Sequence, residues 1–155
     1  MSGRIRSIKP EWLEDELMAA ASDEARVLSV ALILMADDHG RGRASTASLA
    51  AGAWRYELER DDGANARETL AKTSRAFREL VEMRFVVAYD VERQRYYEIR
   101  NWSKHQKVDK PSKPRVPAPL ETLAGDSRGS RGGLEESPRL ISDLRSGSPI
   151  SDHER

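Results

Sequence analysis

The sequence has no cysteine among its 155 residues. This excludes disulfides, thiol nucleophiles and cysteine-ligated zinc or iron–sulfur centres, and it is typical of a reducing cytoplasm. The three histidines are His39, His105 and His153, too far apart for metal-ligand spacing. The cluster Asp37-Asp38-His39 reads as a polar helix end and turn, because no further ligand lies near it in the sequence. We therefore predict no metal and no cofactor.

Long apolar runs and an excess of charge are also lacking. No run approaches the roughly 20 apolar residues of a membrane span. The basic N-terminal residues are not followed by the apolar region of a signal peptide, which predicts a cytoplasmic protein without membrane contact. Lys plus Arg and Asp plus Glu both number 26, so the formal net charge of zero by itself favours neither nucleic acid nor membrane.

The distribution of charge is more informative. Residues 100–115 contain six Lys or Arg and one acid, 6 − 1 = +5, whereas residues 120–155 contain five Arg and seven acids, 5 − 7 = −2. A local basic stripe fits a polyanion bound on one face. We predict one domain over 1–119 and a disordered tail over 120–155, rich in Gly, Ser, Arg and acids, in which 138–144 can form a short helix on a partner.

Three helical segments precede the middle of the chain. Pro10 suits the first turn of a helix that extends to Met18. Ser22 suits the N-cap of a helix over 25–36 that is apolar nearly all round and therefore belongs in the core. After a very short strand at 43–44, a third helix is predicted over 47–51, ended by Gly52. Residues 53–63 then read as a polar connection into which this helix can continue.

The stretch 64–99 predicts a helix followed by a two-stranded ribbon. In the helix, 64–83, Leu70 and Phe77 are among the apolar residues at helical spacing. The ribbon comprises strands over 85–89 and 95–99 with a polar turn over 90–94. Together with the preceding helices, this predicts a mainly α-helical fold with a small β-hairpin (α+β), arranged as a winged helix-turn-helix.

This arrangement suggests a DNA interface. Base-edge contacts are expected from one arginine stripe of the helix, which lies beside the apolar core face, and phosphate contacts from basic residues elsewhere, including the hairpin tip. The proline-rich segment that follows is either a strap along phosphates or a solvated linker, and a salt-bridged solvent surface is the alternative for the helix. The predicted DNA contacts are Arg67, Arg75 and Arg78 to bases, and Arg4, Arg6, Lys72, Arg93, Arg95, Lys104 and Lys107 to phosphates.

Two terminal segments of the domain resemble a known family. They are Arg4-Ile-Arg-Ser-Ile-Lys-Pro-Glu-Trp12, followed by Ser22-Asp-Glu-Ala-Arg26, and Asn101-Trp-Ser-Lys-His-Gln-Lys107 leading to Lys110-Pro111. They resemble phage and prophage replication proteins of the DnaD-type replisome organiser family. The resemblance implies a winged helix that binds double-stranded origin DNA in the bacterial host cytoplasm, forms homo-oligomers and helps to load the replicative helicase. Arg84 departs from it, because such domains usually have a glycine there.

The resemblance implies no catalytic residues, and the sequence contains no phosphate-binding P-loop and no convincing catalytic triad, so we predict that the protein is not an enzyme. Replication initiation is the leading functional prediction. A winged-helix transcriptional regulator and a protein-interaction module that binds a host protein are the alternatives.

Overall fold

The computed structural model describes residues 4–60 and 63–120. It confirms the predicted class, a mixed α+β fold with mainly helical content and a small antiparallel sheet. The predicted tail from 121 onward, with its 138–144 segment, lies outside the described residues. The elements in chain order are α1 (Glu11–Glu14), α2 (Glu16–Ala20), α3 (Asp23–Met35), β1 (Arg41–Arg43), α4 (Thr46–Ala53), α5 (Arg55–Glu59), α6 (Ala64–Glu82), β2 (Val86–Val91), β3 (Gln94–Ile99) and α7 (Trp102–His105).

The N-terminal helix is divided, where one continuous helix was predicted. Asp15 has an extended backbone (ψ 118°), and its carboxylate accepts a hydrogen bond from the Met18 N–H at 2.8 Å. The acidic side chain thus serves as the N-cap of α2 and interrupts the helix that it was expected to join. Ser22 caps α3 as predicted, accepting from the Ala25 N–H at 3.2 Å.

The prediction that Gly52 ends the helix over 47–51 was wrong. The helix continues to Ala53, and a short α5 occupies part of the predicted polar connection. Gly52 instead permits a close approach of α3 to α4, because a Cβ at this position would overlap the Met35 Sδ on α3. Glycine is favoured here by the space between α3 and α4, which the sequence does not show.

The core lies between α3, α4, α6 and the inner face of the sheet. The buried face of α6 is turned relative to the predicted stripe, since Thr69 and Thr73 are buried and Leu70 is only half-buried. The Thr73 hydroxyl donates to the Thr69 carbonyl at 2.6 Å, so its polar atom is satisfied within the helix. The largest fully buried side chains of the core elements are Leu28, Leu32, Leu49, Leu80, Val86 and Tyr97.

The predicted hairpin is present and gains a third strand, giving the order β1-β3-β2 with both pairs antiparallel. β1 pairs its Arg43 with Tyr96, close to the prediction of a short strand at 43–44. The turn is tighter than expected, with only Glu92 and Arg93 between the strands, both at positive φ. From α3 onward, the order helix, strand, two helices, long helix and hairpin is the one that the winged helix-turn-helix prediction requires.

Arg84 closes α6 in a conformation that favours glycine. Its φ is 59°, its N–H donates to the Val81 carbonyl, and the Phe85 N–H donates to the Leu80 carbonyl, both at 3.0 Å. This is a Schellman closure with arginine in the left-handed position. We expect Arg84→Gly to raise the free energy of unfolding by about 1 kcal/mol, since a side chain at positive φ costs about 1–2 kcal/mol and glycine gives back part as chain entropy.

Chemical denaturation of the wild type, Arg84→Gly and Arg84→Ala measures this effect. Alanine keeps the Cβ, and therefore the strain, and removes only the side chain beyond it, so the stability should increase little. Equal stabilisation by both substitutions would show that the backbone strain is not the cause.

Candidate nucleic-acid interface

One face of α6 is directed to solvent and combines two arginines with small residues. Arg67, Ala71, Ser74 and Arg78 are all exposed. With 100° per residue, Arg67 and Arg78 lie about 140–160° from the centre of the buried face, which places them opposite the core and not beside it as predicted. Neither forms an ion pair with a carboxylate in the part of the chain that the structure describes. The small residues between them leave the helix backbone open to close approach.

The other two predicted cations of α6 are engaged in ion pairs. Arg75 contacts Glu68 at 2.9 Å, and both side chains are more than 60% exposed, so solvent weakens this pair. Lys72 is withdrawn from the surface, where its ammonium pairs with Glu57 and lies 4.9 Å from the centre of the Trp54 ring. Lys72 therefore links α5 to α6, a role that its spacing within the helix did not reveal.

The hairpin tip presents one unpaired arginine. Arg93 is exposed and forms no ion pair with a described residue, whereas Arg95 pairs with Asp90 at 3.2 Å. The tip lies at the far end of the sheet from Val86, near which α6 ends. Arg43 and the capped start of α4 lie at this same end, because the Ala44 N–H donates to the Arg95 carbonyl at 2.9 Å. Arg43 is exposed as well, although it was not among the predicted contacts.

The two arginines of the N-terminal arm hold the arm in place. The Arg6 side chain is only 6% exposed, donates to Asp38 Oδ1 at 3.0 Å and to the Ala36 carbonyl at 3.2 Å, and lies 5.1 Å from the Trp102 ring centre. Arg4 contacts Asp38 at 3.2 Å and the Ser112 hydroxyl at 2.9 Å. Both arginines were predicted to contact phosphates, but in the structure their guanidinium groups bind Asp38 and neighbouring groups of the same domain.

Asp37 and Asp38 are both buried and connect three chain segments. Asp37 accepts from the backbone N–H groups of His39, Arg41 and Arg115, and Asp38 accepts from the Ser112 N–H at 2.8 Å as well as from the two arm arginines. The Ser112 hydrogen bond is the main cause that lowers the pKa of Asp38 to about 2, with contributions from Arg6 and Arg4. The predicted polar turn is therefore a structural centre of hydrogen bonds.

The two segments that carry the family resemblance are in direct contact. Gln106 exchanges hydrogen bonds with the Ser7 backbone, accepting at 3.3 Å and donating at 2.5 Å, and the Lys9 ammonium donates to the Lys104 carbonyl at 2.6 Å. Trp102 donates its indole N–H to the Asp38 carbonyl at 2.9 Å. Lys104 and Lys107 are exposed, at the end of the sheet opposite the hairpin tip.

The proline-rich segment 111–119, which we call the strap, packs along the domain. The Ser112 and Arg115 N–H groups are held by the two buried aspartates, and the Tyr89 hydroxyl donates to the Pro117 carbonyl at 2.7 Å. Tyr89 stacks on Tyr96 with ring centres 5.7 Å apart, and burial raises its pKa to about 12. The strap is therefore fixed to the sheet and is not a solvated linker.

Of the ten predicted DNA contacts, five are thus exposed without an ion pair to a described residue. They form two groups: Arg67, Arg78 and Arg93 on α6 and the hairpin tip, and Lys104 and Lys107 at the other end of the sheet. Residues 4–60 and 63–120 contain no group of three metal-ligating side chains. In the same part of the chain no helix is long and apolar enough to cross a membrane.

Comparison with known proteins adds no relative, since no family model, curated protein or solved structure matches the chain.

Proposed function

We propose that the protein binds double-stranded DNA, with the exposed face of α6 in the major groove and the hairpin tip on the phosphate backbone. The observation that carries this proposal is the pair of solvent-facing arginines on α6, Arg67 and Arg78, with small residues between them. Arginine is the side chain that reads guanine and pairs with phosphate most effectively. The order of elements supports it, because helix-turn-helix proteins place the corresponding helix in the major groove.

Replication initiation in a bacteriophage or prophage is the role that we propose for this binding. It rests on the resemblance of the segments 4–12 and 101–111, to which the structure adds that they form one unit around Asp38 and Trp102. Helicase or loader contacts and a homo-oligomer remain part of the same proposal. A footprint at a promoter would favour a transcriptional regulator, and a footprint at a replication origin would favour the replication role.

Charge reversal on α6 tests the DNA interface. We expect Arg67→Glu with Arg78→Glu to weaken binding to duplex DNA at least about 100-fold, since each substitution removes a cation from the groove and adds an anion that the phosphates on both sides repel. The neutral pair Arg67→Met and Arg78→Met should relax the sequence preference if the arginines contact base edges, and should lower the slope of log affinity against log salt by about 0.9 for each of them that contacts a phosphate. Fluorescence anisotropy with a labelled duplex measures both.

The matched control makes the same change of charge at two positions outside the proposed interface. Arg100→Glu with Lys110→Glu changes two exposed cations that follow β3 in the chain and belong neither to α6 nor to the hairpin tip, and it should reduce the affinity by much less. Lys104→Glu with Lys107→Glu tests the second group of predicted contacts. Unchanged affinity of the α6 double variant, with an unaltered circular dichroism spectrum, would refute the proposed interface. Absence of DNA retention at low salt, with a host protein co-purifying, would favour an interaction module.

A further inference from the structure

A groove of about 370 Å³ runs beside β1, between the C-terminal end of α3 and the strap. We call it the β1 groove. It lies on a different part of the surface from the exposed face of α6, whose residues do not line it. The side chains that matter for its chemistry are Leu34, Arg43, Lys113, Arg115 and Val116.

The carboxylates that line the β1 groove do not neutralise its positive charge. Asp37 and Asp38 also line it, but their oxygens accept from backbone N–H groups and from the two arm arginines. Arg41 is paired with Glu98 at 2.6 Å. Three exposed cations remain without a carboxylate partner among the described residues, one on β1 and two on the strap: Arg43, Lys113 and Arg115.

An apolar wall accompanies these cations. Leu34 is 51% exposed although it follows the buried Leu32 and Ile33 on α3, and Val116 faces the groove from the strap. Among the described residues that line the groove, Tyr97 is the one aromatic residue and is fully buried, so these residues offer no ring face for the stacking of a nucleic-acid base. Aliphatic surface beside unpaired cations instead fits a peptide that carries leucines and carboxylates.

We propose that the segment 134–145 of the same chain, Leu-Glu-Glu-Ser-Pro-Arg-Leu-Ile-Ser-Asp-Leu-Arg, docks in the β1 groove. The segment carries three carboxylates and two arginines, 3 − 2 = one net negative charge, and its acids lie near its two ends at 135–136 and 143. Those carboxylates can pair with the three free cations, and four aliphatic side chains can cover the wall at Leu34. The strap supplies part of the groove, and only 13 residues separate Leu120 from Leu134. A random-coil chain of 13 residues spans about 20 Å on average, which would give an effective concentration in the millimolar range. A segment with a Kd of about 0.1 mM as a free peptide would then be docked in about nine chains of ten.

Paramagnetic labelling of the full chain tests this docking. Because the protein has no cysteine, Ser142→Cys introduces one site for a nitroxide label. We expect the ¹⁵N–¹H signals of Leu34, Met35 and Arg43 to lose most of their intensity when the label is oxidised and to recover when it is reduced. The loss should be independent of protein concentration, and absent from a mixture of labelled ¹⁴N chains with unlabelled ¹⁵N chains.

Two further variants identify the contact. Leu34→Glu should restore the signals, whereas Val27→Glu should not, because Val27 is equally exposed at 49%, two turns earlier on α3, and does not line the groove. Leu140→Asp with Leu144→Asp, which changes the docking segment and not the groove, should also restore the signals. No selective loss at the groove would overturn the proposal, as would an equal loss in the mixed sample, which assigns the groove to a second copy. Shifts of the groove signals on adding duplex DNA, without any effect of the label, would assign it to nucleic acid.

This docking does not depend on DNA binding by α6, and the labelling experiment contains no DNA in its primary measurement. Loss of DNA affinity in the α6 variants and loss of the label effect in the groove variants are therefore separate results.

Discussion

Asp38→Ala is expected to lower the free energy of unfolding by about 3–5 kcal/mol, a large part of the total stability of a domain of this size. The substitution leaves the Arg6 guanidinium, whose side chain is only 6% exposed, without its carboxylate. It also removes the acceptor of the Ser112 N–H and releases Arg4. The arm and the strap should therefore detach together, which urea denaturation and limited proteolysis can measure.

Two comparisons separate this effect from ordinary loss of charge. Asp90→Ala breaks an ion pair with Arg95 in which both side chains are more than half exposed, so its expected cost is within about 0.5 kcal/mol. Asp38→Ala combined with Arg6→Met removes both buried charges and should recover part of the loss. If the double variant were no more stable than Asp38→Ala alone, the buried charge of Arg6 would not be the cause.

The pH dependence gives a third comparison. The pKa of Asp38 is about 2 in the folded protein, below the value of about 3.9 expected in an unfolded chain. A lowered folded-state pKa means that the stabilisation is fully present above about pH 4 and is lost as the pH falls to about 2. The difference in unfolding free energy between the wild type and Asp38→Ala should shrink over this window. A constant difference would show that the carboxylate charge is unimportant.

The fold class was predictable because it depends on local signals. Ser22 as N-cap, the apolar run of α3, the helix over 64–83 and the alternating strands of the hairpin all lie within short stretches of sequence. The errors occurred where a tertiary contact decides the local structure. Gly52 marks a close approach to Met35 and not a helix end. Thr69 and Thr73 are buried although they are polar, and the Thr73 hydroxyl is satisfied within the helix by the Thr69 carbonyl.

The candidate site was predicted less well, because a basic residue looks the same in the sequence whether its partner is a phosphate or a distant carboxylate. Arg6 and Asp38 are 32 residues apart, and Lys72 and Glu57 are 15 residues apart. Neither pair has a spacing that a helix or a hairpin would reveal. Arg67 and Arg78 were predicted to lie beside the core, and the structure places them opposite it. The difference arises because the buried face of α6 is centred on Thr69 and Thr73, whereas the prediction centred it on Leu70. The arm and the 101–111 segment were chosen by resemblance, and the structure gives them a packing role.

Gly40→Ala is the second change for which we expect a large effect, about 2–5 kcal/mol. The φ of Gly40 is 77°, a conformation that costs a residue with a side chain about 1–2 kcal/mol. In addition, a Cβ here would lie 2.6 Å from the Cγ of Trp102, and such overpacking typically costs about 1–3 kcal/mol.

Two further variants, Gly63→Ala and Gly40→Ala combined with Trp102→Ala, separate the cost of the positive φ from the cost of the overlap with Trp102. Gly63 has a φ of 101° but no described atom within 4 Å of an added Cβ, so its substitution should cost only the backbone part. When Trp102 is already alanine, Gly40→Ala should likewise cost only that part, and chemical denaturation of the four chains gives the coupling as a double-mutant cycle. A zero coupling would mean that Trp102 is not held against this turn. A large coupling would mean that Trp102, in the 101–111 segment, packs against this turn and stabilises the fold. If every variant that folds also kept its DNA affinity, Trp102 would have no part in the DNA contact, which the proposal assigns to α6.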